Sequence, residues 1–280
     1  MLALVFSAFS FLTINFYAQG VQKASHLGKS GHLRLARWRE TGALVGVCVA
    51  AIAPVVLIYF MDAPFVGFAV GFVVLAIASA ILMRGEWSAN LTTEPSGFGV
   101  VLGDPIARRL LLIAFVNAAP VAVSSTLFLF YVESRLMAVG MEGPLLLLFF
   151  LSAAVSAPIW GRVAEKVGAK VVLMVAMALA IVTFGFACIL GAGDWVAFAF
   201  VCIGSGAALG ADLTILPALF AKRMGQISPN ATEGFGLWSF VSKLTLAFAA
   251  VLLLPTLQRV GFDSGSLTNS PDALFILTLL

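Results

Sequence analysis

Residues 233–255 read EGFGLWSFVSKLTLAFAAVLLLP: one long apolar run with a single lysine, Lys243, almost at its middle. A run of this length matches the roughly 20 residues that a helix needs to cross a ~30 Å hydrocarbon layer. A charge at that depth is hard to tolerate, and an ionisable side chain inside a span marks a pathway or a site by default. The rest of the chain has the same character. Of its 280 residues 61% are apolar and 10% charged, with a mean hydropathy of +1.09, whereas a soluble domain carries about a quarter charged residues.

Segments 2–18, 41–60, 65–83, 110–132, 144–160, 171–191, 195–221 and 235–257 meet or approach the length of a span, and 273–280 reads as the start of a ninth. The fold class expected is therefore an all-α polytopic membrane bundle of about eight full helices and one partial helix. The connections 19–40, 84–109, 161–170 and 222–234 hold thirteen of the sixteen Lys and Arg residues, and the intervening loops hold only Arg135 and Arg259. The positive-inside rule then places the basic loops in the cytoplasm, and the protein in a membrane such as a bacterial inner membrane. A net charge of +3 accordingly reports topology, with no call for nucleic acid.

Several short motifs dissolve in this frame. The glycosylation-like tripeptides at Asn90 and Asn230 fall in expected cytoplasmic loops. His26 and His32, six apart in a basic loop, suit no usual metal spacing, and Cys48, Cys188 and Cys202 lie in apolar runs without paired spacing, so neither metal nor disulfide is expected. GSGAALG, Gly204–Gly210, has the glycines of a nucleotide loop without the Lys-Ser or Lys-Thr that follows one, and close helix packing explains it better. The amino terminus has no basic start and no clear cleavage site, so it reads as a membrane helix and not as a secretory signal.

The longest polar stretch, 84–109, divides the chain into a helical group 1–83 and a helical group 110–280, the arrangement expected of two subdomains and a linker. The next basic connection, GRVAEKVGAK, supplies Gly161 and Gly168 for a tight turn, Glu165 for pairing, and Lys166 and Lys170 as anchors. It resembles the short signature loop of the major facilitator superfamily, a gating element. Farther along, Ala211-Asp212, Lys222-Arg223, Glu233-Gly234, Phe235-Gly236 and Phe240 to Lys243 resemble the late helices of the glycoside–pentoside–hexuronide cation symporters, the melibiose permease-like family. RLARWRETGALVG resembles that family's arginine-bearing entry into its fifth helix.

The resemblance implies a major facilitator-type bundle lacking about three helices before Met1 and most of one after Leu280. It implies a secondary transporter, or part of one, that moves a sugar, glycoside or similar small polar solute with a cation. No cofactor is implied, and the coupling cation, proton or sodium, stays open. Thr13 and Asn15 stand where the family commonly has an acid, which weakens the case for sodium. Candidate solute-binding residues are Lys243, Arg39 and Trp238, the last as a stacking surface; Asp212 and Lys243, at similar depth on neighbouring spans, are a candidate charge pair. The alternatives are a transport-incompetent fragment or a partner that needs the missing helices on another polypeptide, and a lipid carrier of the same superfamily. A membrane enzyme is disfavoured, because no embedded histidine, paired aspartates or triad is present.

The topology is testable. Single cysteines at Ser30, Ser96 and Ser228 in a cysteine-free background are expected to resist a membrane-impermeant thiol reagent in intact cells, and labelling from outside at any of them overturns the assignment.

Overall fold

A helix in lipid satisfies its own backbone, which is why runs of this composition fold as helices and nothing else. The computed structural model describes residues 2–28, 30–86, 97–228, 231–263 and 269–279, and shows no strand among them. Among the described residues eight helices are long and apolar enough to cross a membrane: α1 (Leu2–Ser25), α2 (Gly31–Leu57), α3 (Pro64–Met83), α5 (Pro105–Phe130), α6 (Glu142–Val167), α7 (Ala169–Ala187), α8 (Trp195–Ile227) and α9 (Thr232–Arg259). A short α4 (Phe98–Gly103) precedes α5, a π-helical turn, Tyr131–Arg135, continues α5, and α10 (Pro271–Leu279) follows α9.

The helices outrun the spans read from hydropathy. The expected loop 19–40 is mostly helix, since α1 continues to Ser25 and α2 starts at Gly31, and the expected loop 161–170 shrinks to the single residue Gly168. Hydropathy marks only the part in hydrocarbon, while a helix continues into the headgroup layer wherever long cationic side chains can reach water. The extreme is α8, whose 33 residues extend about 50 Å. Sequence-adjacent helices alternate in direction, so Lys23, Arg34, Arg84, Arg108, Arg109, Lys166, Lys170 and Lys222 gather at one pole, and Arg135 and Arg259 lie at the other. The tripeptides at Asn90 and Asn230 lie outside the described residues, as does Ser96. Ser228 is fully buried, so a cysteine there stays silent from either side, and exposed Lys222 is the better reporter.

The bundle is organised around α8, half of whose span window is buried and which meets α1, α2, α5, α6 and α7. Its contact with α6 is close because the glycines of the GSGAALG stretch put no side chain between the helices. A Cβ at Gly206 would strike the carbonyl of Phe149, one at Gly210 the hydroxyl of Ser156, and one at Gly204 the methyl of Thr183 on α7. Across this seam Ser152 donates to the carbonyl of Ile203 at 2.6 Å and Trp160 to that of Ala207 at 2.9 Å. In lipid, packing of this kind and interhelical hydrogen bonds replace the hydrophobic drive. Leu44 of α2 rests on the same small surface, against Ala153, Ala157 and Leu209. By contrast α3 buries no residue and offers its apolar side to lipid.

Near the basic pole a core of Val21, Val101, Leu111, Phe220, Met224 and Phe235 joins α1, α4, α5, α8 and α9. Asp104 fixes the start of α5 twice over. Its Oδ1 accepts from the backbone N–H of Ala107 at 2.7 Å as an N-cap, ahead of Pro105 at the first helical position, and its carboxylate is held in a two-pronged pair by Arg223 of α8. The Arg223 hydrogen bond, with help from the cap, holds the Asp104 carboxyl at about 2, so this pin stays ionised at neutral pH.

The seam between α6 and α8 generates a stability prediction. Gly206→Ala and Gly210→Ala are each expected to destabilise the protein by about 1–3 kcal/mol through overpacking, and Gly185→Ala, where a Cβ meets open space, is expected to be neutral or stabilising. Thermal unfolding in detergent reads the difference.

Candidate functional site

Three polar constellations interrupt the apolar helices. The first joins α1 to α2. Tyr17 donates its hydroxyl to Glu40 Oε1 at 2.7 Å, Arg39 donates Nε to the same oxygen at 2.7 Å, and the guanidinium lies over the Tyr17 ring 3.4 Å from its centroid. The side chains are 10% exposed for Arg39 and 8% for Glu40. Glu40 is the tenth residue of α2, about 13 Å along the helix. Arg39 Nη2 is buried without a hydrogen-bond partner, and so is His32 Nδ1. Both residues line one crevice with Tyr17, Gly20, Ala218 and Ala221, between α1, α2 and α8, with room on the order of one water.

The second constellation ties α5 to α8, where the amide of Asn117 donates to Asp212 Oδ1. The third ties α9 to α1, where the Lys243 ammonium donates to Ser10 Oγ, and Ser10 in turn donates to the carbonyl of Phe6 at 2.5 Å. The expected Asp212–Lys243 pair is not formed, because each group has another partner. Equal depth along two antiparallel helices fixes one coordinate only. The rotation of each helix turns Asp212 toward α5 and Lys243 toward α1.

Trp238, expected as a stacking surface, is half-buried and packs on Phe220 with ring centroids 5.0 Å apart. Phe220 continues to Phe235 at 5.5 Å and Phe235 to Tyr17 at 5.1 Å, so an aromatic row runs from Trp238 to the ring beneath Arg39.

The signature loop is a correction. Gly161 and Glu165 lie inside α6, and Gly168 alone, at φ 98°, makes the turn to α7. Gly161 serves close approach instead: a Cβ there would sit 2.8 Å from Arg37 Cδ, and Arg37, lying across this gap, reaches Glu165 Oε1 at 3.2 Å. That pair ties α2 to α6 at the basic pole. Lys166 and Lys170 are exposed beside it. On the same pole Lys23 is paired with Glu86, whose carboxyl this hydrogen bond holds below the ordinary range, and Gln19 donates to the Glu86 carbonyl at 3.1 Å.

Sequence reading missed Tyr17, Glu40, Asn117 and Ser10. Asn117 carried a signal, a lone amide in an apolar span, and Glu40 carried another, a lone acid among the arginines of RLARWRE. Tyr17 and Ser10 are ordinary residues in membrane helices, and only the packing of α1 gives them meaning.

No curated protein matches the chain. A family model does, over residues 1–280, and its description is MFS/sugar transport protein, in agreement with the melibiose permease-like features of the late helices. The chain is an integral membrane protein of the MFS/sugar transport protein family.

Proposed function

We propose that the protein is a secondary active transporter that moves a sugar, glycoside or similar small polar solute with a cation by alternating access. The observation that carries this reading is the Tyr17–Arg39–Glu40 triad, in which one guanidinium nitrogen is buried without a partner and Arg39 lines a crevice between helices. A solute that gives up its water needs hydroxyl, amide and charged groups to replace it, on a surface between helices that can separate. Arg39 with Tyr17 supplies a donor and an aromatic face, and Lys243 supplies a second cation from α9. The aromatic row from Trp238 to Tyr17 backs the first of these.

In this reading 1–83 and 110–280 form two groups joined by the 84–109 linker, and the surfaces that move lie where α1 meets α8 and α9 and where α2 meets α6 and α8. The basic pole faces the cytoplasm. The pair between Arg37 of α2 and Glu165 of the signature segment then ties the two groups together at that pole and must loosen as the pathway opens there. Asn117 and Asp212 lie within the second group and hold α5 on α8 throughout the cycle.

Lys243 is exposed and its partner is a neutral hydroxyl, so its removal costs the fold little. Lys243→Met in the complete gene product is expected to insert normally and to lose uptake of labelled sugar by about tenfold or more, as the loss of a charge-assisted hydrogen bond of about 1.5–3 kcal/mol implies. Asn117→Ala is expected to act on stability instead, by about 1–3 kcal/mol, because it leaves the Asp212 carboxyl without its partner. Normal uptake by Lys243→Met, across a panel of D-glucose, D-galactose, D-xylose, lactose and melibiose that the parent transports, removes this lysine from the site. Absence of uptake of any of these by the parent removes the sugar reading.

A further inference from the structure

We propose that Glu40 is the site of the coupling cation and that the cation is a proton, taken up when the solute draws Arg39 away from it. The inference rests on the transporter reading above and gives it a coupling mechanism.

The geometry is that of one cation with two claimants. Arg39 gives Nε to Glu40, keeps its face on Tyr17, has Nη2 buried and unpaired, and is one of the residues that line the crevice. Other charged groups on the packed elements are engaged or turned away. On α1, Lys23 is held by Glu86, and Tyr17 offers only its hydroxyl. On α2 itself, Arg37 goes to Glu165 of α6, and His32 lies a turn or more nearer the pole on the same crevice. On α8, Asp212 is bonded by Asn117, Arg223 is held by Asp104, and Lys222 is exposed. On α6, Arg162 and Lys166 are exposed at the pole, and α3 carries no charged residue. Arg39 is thus the cation that balances Glu40.

A solute whose hydroxyls take the guanidinium therefore leaves a carboxylate in a nearly closed, lipid-bounded site without its counter-charge, and such a charge costs several kcal/mol. A proton removes the cost. It comes from the water that admits the solute, forms an O–H bond with the Glu40 carboxylate, and lets the neutral acid donate to the Tyr17 oxygen, which had been donor in the empty state. When the solute leaves on the other side, Arg39 returns to Glu40 and the proton passes to the water there. Solute and proton thus favour each other's binding by reciprocal linkage. The loaded carrier holds one positive charge more than the empty one, so the cycle moves charge.

The test uses the complete gene product in proteoliposomes with the five labelled sugars named above. The parent is expected to exchange at least one of them in counterflow and to accumulate it about tenfold on an imposed gradient of one pH unit, the ratio for one proton per solute. Glu40→Gln, which keeps the acceptor for Tyr17, is expected to retain counterflow and to lose accumulation entirely, and Glu40→Asp to retain both. Accumulation by Glu40→Gln at the parent level overturns the inference, as does loss of counterflow in a monodisperse Glu40→Gln protein. A second measurement needs no variant: adding that sugar to the purified parent in weakly buffered detergent is expected to take up about one proton per chain, and no uptake overturns the proposal. Failure of the parent to exchange any of the sugars is a different result, since it removes the transporter reading itself.

Discussion

Hydrocarbon offers no water to an unpaired charge, so an ionisable side chain at membrane depth is stabilised by a group from the protein that meets it. That constraint places the helices relative to one another. Tyr17 and Glu40 bind α1 to α2, Asn117 and Asp212 bind α5 to α8, and Lys243 and Ser10 bind α9 to α1. Each tie uses a different pair of helices, so together they fix rotation as well as distance. Arg39 is the member with capacity to spare, since one of its nitrogens answers Glu40 and another is buried without a partner.

Packing supplies what the polar ties cannot. The glycines of α8 bring it against α6 and α7 closely enough for serine and tryptophan side chains to bond across to backbone carbonyls. The surface that α2 meets is of another kind. Leu44 rests on Ala153, Ala157 and Leu209, and nearer the basic pole Arg37 lies across Gly161. A seam of interlocked glycines resists displacement, whereas a leucine on alanines can slide by small steps, and shear of packed helices is one of the standard modes of conformational change.

The spans were legible in the sequence because hydrocarbon thickness fixes their length and composition, and Lys243 was legible because a lone charge stands out in an apolar run. Helix ends were not, since α1, α2 and α6 continue through residues whose cations resemble loop residues in a hydropathy profile. The partners of Asp212 and Lys243 were hidden for a geometric reason. Residue counting gives depth, but each residue also turns the helix by about 100°, and which neighbour a side chain meets depends on packing that no local pattern encodes. Glu40 sat at the edge of a span beside arginines and read as part of a basic connection, and Gly161 read as a turn glycine because the helix was expected to stop there.

One residue at the basic pole has a mechanical meaning. Gly168 alone separates α6 from α7, with a backbone conformation that side chains rarely adopt and no slack on either side. Two helices joined by so short a link have little room to separate at this end. If the proposed cycle loosens the Arg37–Glu165 pair, the pull on α6 reaches α7 through Gly168, and the lipid-facing flank of the bundle moves with it. In the proposed alternating-access cycle the membrane around α7 would then take part in the working stroke, its thickness and lateral pressure loading the same helices that the ion pair holds.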